Sequence, residues 1–314
     1  MIINTGVRTD IPAFYSKWFI NRIRQGYVMV RNPYYPKKVI KYELNPNVVD
    51  CIDFCTKNPE PMLKYLDELK NYNTFWYVTI TPYSKNIEPN VPSKEKVIES
   101  FKKLSLKLNR GFVGWRYDPI FLTEEFDINR HIKEFEHIAK NLKGYTNCCV
   151  ISFLDLYEKV KRNAPDLRSP TKEEQIIIAK AFLKIGKENN INIYTCCEGD
   201  FLASYGINCT GCKSKEMLEK CIGYKIEFPE MKNNRKGCNC LIQNDIGAYN
   251  SCGHLCRYCY ANNNEKKVQE NMKNHFENSP LLIGNLNDDD EIIKAQQYSY
   301  KVKKEQMNLF ENSK

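Results

Sequence analysis

No apolar run in this chain approaches the roughly 20 residues that a membrane-spanning helix needs. The N-terminus, MIINTGVRTDIPAFY, has no charged segment followed by an apolar one, which argues against a secretory signal. A cytoplasmic protein with no membrane partner is the expectation. A dense basic run and an RNA-binding motif are missing too, although 47 basic residues against 38 acidic ones leave a net charge of +9. Lys and Arg are spread along the chain as on an ordinary solvated surface, so nucleic acid is not the favoured partner. There is no internal repeat and no low-complexity linker. The 314 residues read as one main unit, residues 1–197, with a C-terminal extension over 198–314.

Hydrophobic residues make up 42% of the chain, enough for a sizeable core. Short apolar, β-branched runs recur at 2–7, 48–54, 75–81, 112–117, 148–154 and 191–197. Amphipathic stretches lie between most of them, at 12–25, 60–70, 93–108, 128–142 and 172–189. Thr171, with Glu174 three residues on, signs the start of the last of these helices. Strands alternating with helices predict parallel βα units. The runs are apolar on both faces, as in strands covered by helices. The expected fold is α/β, a partial six-unit TIM-like barrel with the cysteine-rich extension over its C-terminal rim. An open doubly wound sheet is the alternative. A short helical piece is expected near 214–221, a helix start within 262–280, and a charged terminal helix over 288–310.

Fourteen cysteines are a surplus. Without a signal segment they point to metal ligands or a strongly reducing cell rather than disulfides. Cys51, Cys55, Cys148 and Cys149 sit in strand-like text and read as small core residues. The other ten crowd between Cys196 and Cys259, mostly beside Gly, Asn and charged residues.

The sharpest motif is Cys252-Gly-His-Leu-Cys256-Arg-Tyr-Cys259, a C-x3-C-x2-C triplet. Three thiolates at this spacing can ligate three irons of a [4Fe–4S] cluster and leave the fourth open. The open iron can take the amino and carboxylate groups of S-adenosylmethionine, whose one-electron cleavage gives a 5′-deoxyadenosyl radical. A flavodoxin- or ferredoxin-type reductant is then required. The competing reading is a zinc or iron–sulfur binding module without catalysis, one that could act on nucleic acid. Zinc prefers four ligands in C-x2-C pairs, and ferredoxin-like clusters use other spacings.

Further cysteines lie just upstream. Four of them suit a second iron–sulfur cluster or a zinc ion: Cys196 or Cys197, with Cys212, Cys238 and Cys240. The tight Cys238-Asn-Cys240 pair tilts this set toward iron–sulfur. In βα folds, functional residues gather where strands end. Arg8, Asp10, Arg116 and Asp118 stand at such ends and are candidates for binding cofactor or substrate. Lys57, Asn58, Asp155 and Glu198 stand there as well. An arginine suits a carboxylate because its planar fork donates two hydrogen bonds. Tyr258 is a candidate to shield a cluster or touch adenine, and His254 to tune it. His131 and His137, six residues apart on one helix, read as surface residues.

Several segments resemble the bacterial domain-of-unknown-function family 1848. They are Arg8-Thr-Asp-Ile-Pro-Ala-Phe-Tyr15, residues 26–33 (GYVMVRNP), Lys57-Asn-Pro59, residues 115–120 (WRYDPI), residues 245–249 (DIGAY), the triplet through Asn262, and residues 307–310 (MNLF). The resemblance spans essentially the whole chain and implies an iron–sulfur protein. Residues 115–120 are more weakly similar to the spore photoproduct lyase-like branch of the radical S-adenosylmethionine superfamily. Enzymes of that superfamily carry the triplet after the first barrel strand. Here it follows the last predicted strand, and no Gly-Gly-Glu follows the second.

Overall fold

The structure is a computed structural model that describes residues 1–108, 113–228, 240 and 244–302. In chain order its strands are β1 (Ile2–Asn4), β2 (Tyr27–Arg31), β3 (Lys38–Glu43), β4 (Cys51–Thr56), β5 (Thr74–Thr79), β6 (Val113–Ile120), β7 (Cys148–Phe153), β8 (Asn192–Thr195) and β9 (Glu291–Lys294). The helices are α1 (Ile11–Phe14), α2 (Ser16–Gln25), α3 (Lys94–Leu108), α4 (Ile128–Leu142), α5 (Glu158–Asn163), α6 (Lys172–Asn189), α7 (Lys215–Ile222) and α8 (Glu265–Lys273). Glu60–Leu69, expected as an α-helix, winds as a 3₁₀ helix.

Each of the six predicted strand runs contributes to one parallel sheet, ordered β1-β4-β5-β6-β7-β8. Setting β2 and β3 aside, spatial order follows chain order with no reversal. A doubly wound sheet requires a reversal, so that alternative falls. Nor is the sheet closed. Among the described residues β1 and β8 are its edges, and each carries one isolated bridge, Asn4 with Asp245 and Tyr194 with Asn208. Both bridging residues belong to the extension.

The two faces of the sheet are covered differently. Alternate strand residues point to opposite sides. Ile52, Phe54, Trp76, Val78, Trp115, Cys149, Ile151 and Ile193 meet Val97, Phe101 and Leu104 of α3, Phe135 and Ile138 of α4, and Ile178 and Phe182 of α6. Helix starts are set locally. Asp127 caps α4 and Thr171 forms a full capping box with Glu174 at α6. On the other face, called inner here, Ile2, Cys51, Phe75, Tyr77, Cys148, Val150 and Cys196 meet Leu218, Cys221 and Ile222 of α7. The extension therefore does more than cover the rim. Its middle part packs onto the inner face of the sheet.

Two sequence expectations fail. Residues 288–310 do not form one helix, because Glu291–Lys294 pair as a parallel strand with β3. An edge strand such as β3 offers unpaired backbone groups, and a four-residue segment with no long helical period can satisfy them. The Arg31–Asp290 ion pair pins the approach. Residues 303–310 lie outside the described residues. The resulting sheet β2-β3-β9 was not anticipated. His131 is also not a surface residue but fully buried. Its ring is held by the Tyr117 hydroxyl at Nδ1 (2.9 Å) and the Phe121 carbonyl at Nε2 (2.8 Å). Burial lowers its pKa to about 4. His137 is exposed, as expected. Among the described residues no helix is long and apolar enough to cross a membrane.

Candidate metal centres

The triplet loop docks where the parallel strands end. Tyr15 donates to the Ser251 carbonyl at 2.5 Å and Asn90 to the Gly253 carbonyl at 2.8 Å. The Arg257 amide donates to the Ile87 carbonyl at 3.0 Å, and Tyr260 donates to the Val7 carbonyl at 2.6 Å. These anchors come from the segments after β1 and β5. The turn is compact for two reasons. Leu255 adopts a left-handed φ of 56°. Gly253 lies so close to Phe14 that a Cβ there would sit 2.7 Å from the ring, a close approach only glycine allows.

Cys252, Cys256 and Cys259 are half-buried. Burial pushes the Cys252 and Cys256 thiols up, and the neighbouring carboxylates Asp10 and Glu88 add to the effect. The three sulfurs also act on one another electrostatically. The Ala261 amide donates to the Cys259 sulfur at 3.3 Å. A group that takes three thiolates from one loop fits this donor set.

The rim residues singled out from sequence are mostly paired. Arg8 binds Asp245 through Nε (2.5 Å) and the Asp245 carbonyl through Nη2 (2.6 Å). Arg116 forms an ion pair with Asp118. Asp10 caps α1, accepts the Lys57 amide at 2.8 Å and contacts His254 Nε2 at 2.9 Å. Tyr258 is buried and donates to Glu88. Glu88 also holds the Lys57 ammonium at 2.9 Å and the Thr81 hydroxyl at 2.8 Å. Lys57 and Cys256 lie in electrostatic range of each other. Asp155 has its hydroxyl neighbour Tyr157 at 3.3 Å. Glu198 accepts the Phe153 amide at 2.8 Å, and burial raises its pKa to about 7.

A second set meets on the inner face. The sulfurs of Cys196, Cys212 and Cys240 lie within 4.8 Å of one another, all buried. Cys212 and Cys240 are 3.0 Å apart. Cys197 hydrogen-bonds to Cys196 as well, and these thiol contacts, with Arg116 nearby, hold Cys196 well below the usual thiol range. Had β8 continued past Thr195, Cys196 and Cys197 would point to opposite faces. The strand has ended there, and Cys197 sits in a bend with a left-handed φ of 62°, rare outside glycine. Cys238 lies outside the described residues. Of the four early cysteines, Cys51, Cys148 and Cys149 are buried core thiols, whereas Cys55 is partly exposed near Arg116 and Lys213.

The sequence reading missed Lys213, Asp53 and Glu88. The buried Lys213–Asp53 pair ties the extension to β4. Asp53 also accepts from Asn4 at 2.5 Å. A lysine directly after Cys212 and an aspartate inside an apolar strand were the available signals, and only their meeting gives them meaning.

Fold and sites together define a parallel α/β protein with one cysteine set at its strand-end rim and another on its inner face. The chain belongs to the family described as Domain of unknown function (DUF1848), which matches residues 2–261. That span includes both cysteine sets. No curated protein and no solved structure matches the chain.

Proposed function

We propose that this protein is a cytoplasmic radical S-adenosylmethionine enzyme built on a partial six-unit βα barrel. Cys252, Cys256 and Cys259 would hold its [4Fe–4S] cluster. The observation that carries this reading is the docking of the triplet loop on the strand-end rim, beside Asp10, Lys57 and Glu88, rather than on a separate lobe. Sequential strand order with α3, α4 and α6 on one face supports the barrel.

What the bound cluster and S-adenosylmethionine supply is a one-electron cleavage that yields a 5′-deoxyadenosyl radical for hydrogen abstraction. The chain's own residues prepare the place. Asp10 orients the His254 imidazole and the turn after β4. Glu88 collects Lys57, Thr81 and Tyr258 into one buried network beside Cys256. Tyr83, Phe121 and Tyr258 pack as an aromatic wall behind it and keep water from the sulfur. The Arg8–Asp245 and Arg116–Asp118 pairs offer charge for the polar ends of a cofactor or substrate.

The test is anaerobic reconstitution with iron and sulfide, followed by dithionite and S-adenosylmethionine. A brown protein that releases 5′-deoxyadenosine, with both colour and product lost in Cys256→Ser, supports the reading. A reconstituted cluster that gives no 5′-deoxyadenosine sinks it and leaves a non-catalytic metal protein. A flavodoxin- or ferredoxin-type protein is the expected physiological electron donor.

A further inference from the structure

We propose that Cys196, Cys197, Cys212 and Cys240 bind a single zinc ion that staples the extension to the inner face of the sheet. This site is separate from the triplet, and its existence does not depend on the radical reading.

Size selects zinc for this set. Four thiolates around one zinc, with Zn–S bonds near 2.3 Å, stand about 3.8 Å apart at the corners of a tetrahedron. The Cys196, Cys212 and Cys240 sulfurs are all within 4.8 Å of one another, and the closest pair is at 3.0 Å. A small spreading of that pair brings the set to the spacing of one ion. On a cubane each thiolate caps a different iron, so ligand sulfurs stand apart by an iron–iron edge plus two splayed bonds, a wider set. Among the described residues, no other three His, Cys, Asp or Glu side chains group within that limit. At least one pair of the triplet sulfurs therefore stands more than 4.8 Å apart.

Cys197 is assigned as the fourth ligand: its thiol adjoins that of Cys196, but its sulfur lies outside the 4.8 Å set and must turn in to complete the tetrahedron. Its left-handed backbone is what allows neighbouring residues to serve one ion. A tetrathiolate zinc centre carries two net negative charges. The cations Arg116 and Lys213 lie beside it and interact with Cys212, each also paired with a carboxylate, Asp118 and Asp53. Three of the four ligands are buried and Cys197 is half-buried, and four protein ligands fill the coordination of a structural rather than a catalytic zinc. The ion would join the end of β8, the turn before α7, and Cys240, 28 residues beyond Cys212. It would lock α7 over the inner face of the sheet.

The full chain, purified without oxygen, is assayed for zinc and iron by mass spectrometry and by zinc-edge X-ray absorption. One zinc per chain in a shell of four sulfurs is the expected result. Zinc stays in the variant with Cys252, Cys256 and Cys259 all changed to Ser, and in Cys209→Ser. It falls at least tenfold in Cys212→Ser/Cys240→Ser. The absorption measurement needs only the native chain, so it decides the matter even where that double variant does not fold. Absence of zinc, a shell with nitrogen or oxygen donors, zinc that leaves with the triplet, or an iron–sulfur signal that survives triplet removal would each overturn the proposal.

Discussion

Replacing Lys213 by methionine tests how the extension is fastened. The Lys213 ammonium and the Asp53 carboxylate pair with side-chain exposures of only 6% and 2%. Among the described residues one Asp53 oxygen is held by Lys213 and Asn4 alone, and the second has no hydrogen-bond partner. Methionine keeps most of the aliphatic length but strands the carboxylate in a low-dielectric site. Breaking one side of a buried pair typically costs about 3–5 kcal/mol. For a chain of this length that corresponds to a fall of roughly 5–8 °C in Tm. Anaerobic urea and thermal unfolding, followed by circular dichroism, read both quantities. Zinc content measured on the same samples separates this effect from metal loss. Asp53→Asn/Lys213→Met removes both charges while an amide oxygen still accepts from Asn4, so it should recover more than half of the loss. A single variant that loses under about 1 kcal/mol, or a double variant as unstable as the single one, refutes the reasoning.

Three further outcomes follow from the fold. His131 is held neutral, at about 4 against an ordinary 6.5, so the unfolded chain takes up its proton first. Its contribution is complete above pH 6.5 and is lost as pH falls toward 4, by up to about 3 kcal/mol. His131→Gln should flatten the urea midpoint between pH 7 and 5, and an unchanged pH slope would rule this account out. Thr171→Ala removes the α6 cap and should cost about 1 kcal/mol in urea unfolding, whereas Thr171→Ser should change little. Phe135 stacks on Phe182 at 3.7 Å and on Trp115 at 4.6 Å. Phe135→Ala should destabilise by about 3–5 kcal/mol, and a loss near zero would mean that α4 is not close-packed on the sheet.

Much of the parallel sheet was legible because its causes are local. Runs apolar on both faces are what a strand covered on both sides requires, and each of the six holds a strand. Thr171 with Glu174 is a capping box whose residues are three apart, so it can be read without any fold. The triplet is equally local, seven residues from first to last cysteine. The strand β9 was not legible. Glu291–Lys294 is exposed along its length, and what makes it a strand is the free edge of β3, some 250 residues earlier.

The sequence by itself determined the sheet's strands, the helices that separate them and the spacing of the triplet, since each depends on neighbours within a turn or two. Tertiary structure alone decided which sulfurs meet. Cys196, just past β8, and Cys212, in the turn before α7, meet Cys240 because the chain after β8 folds back over the inner face, with Cys197 in a left-handed turn between them. The same folding sets Lys213 on Asp53, 160 residues away, and brings the triplet loop to the strand ends. Contacts of that range follow from how the elements stack, and no local pattern encodes them.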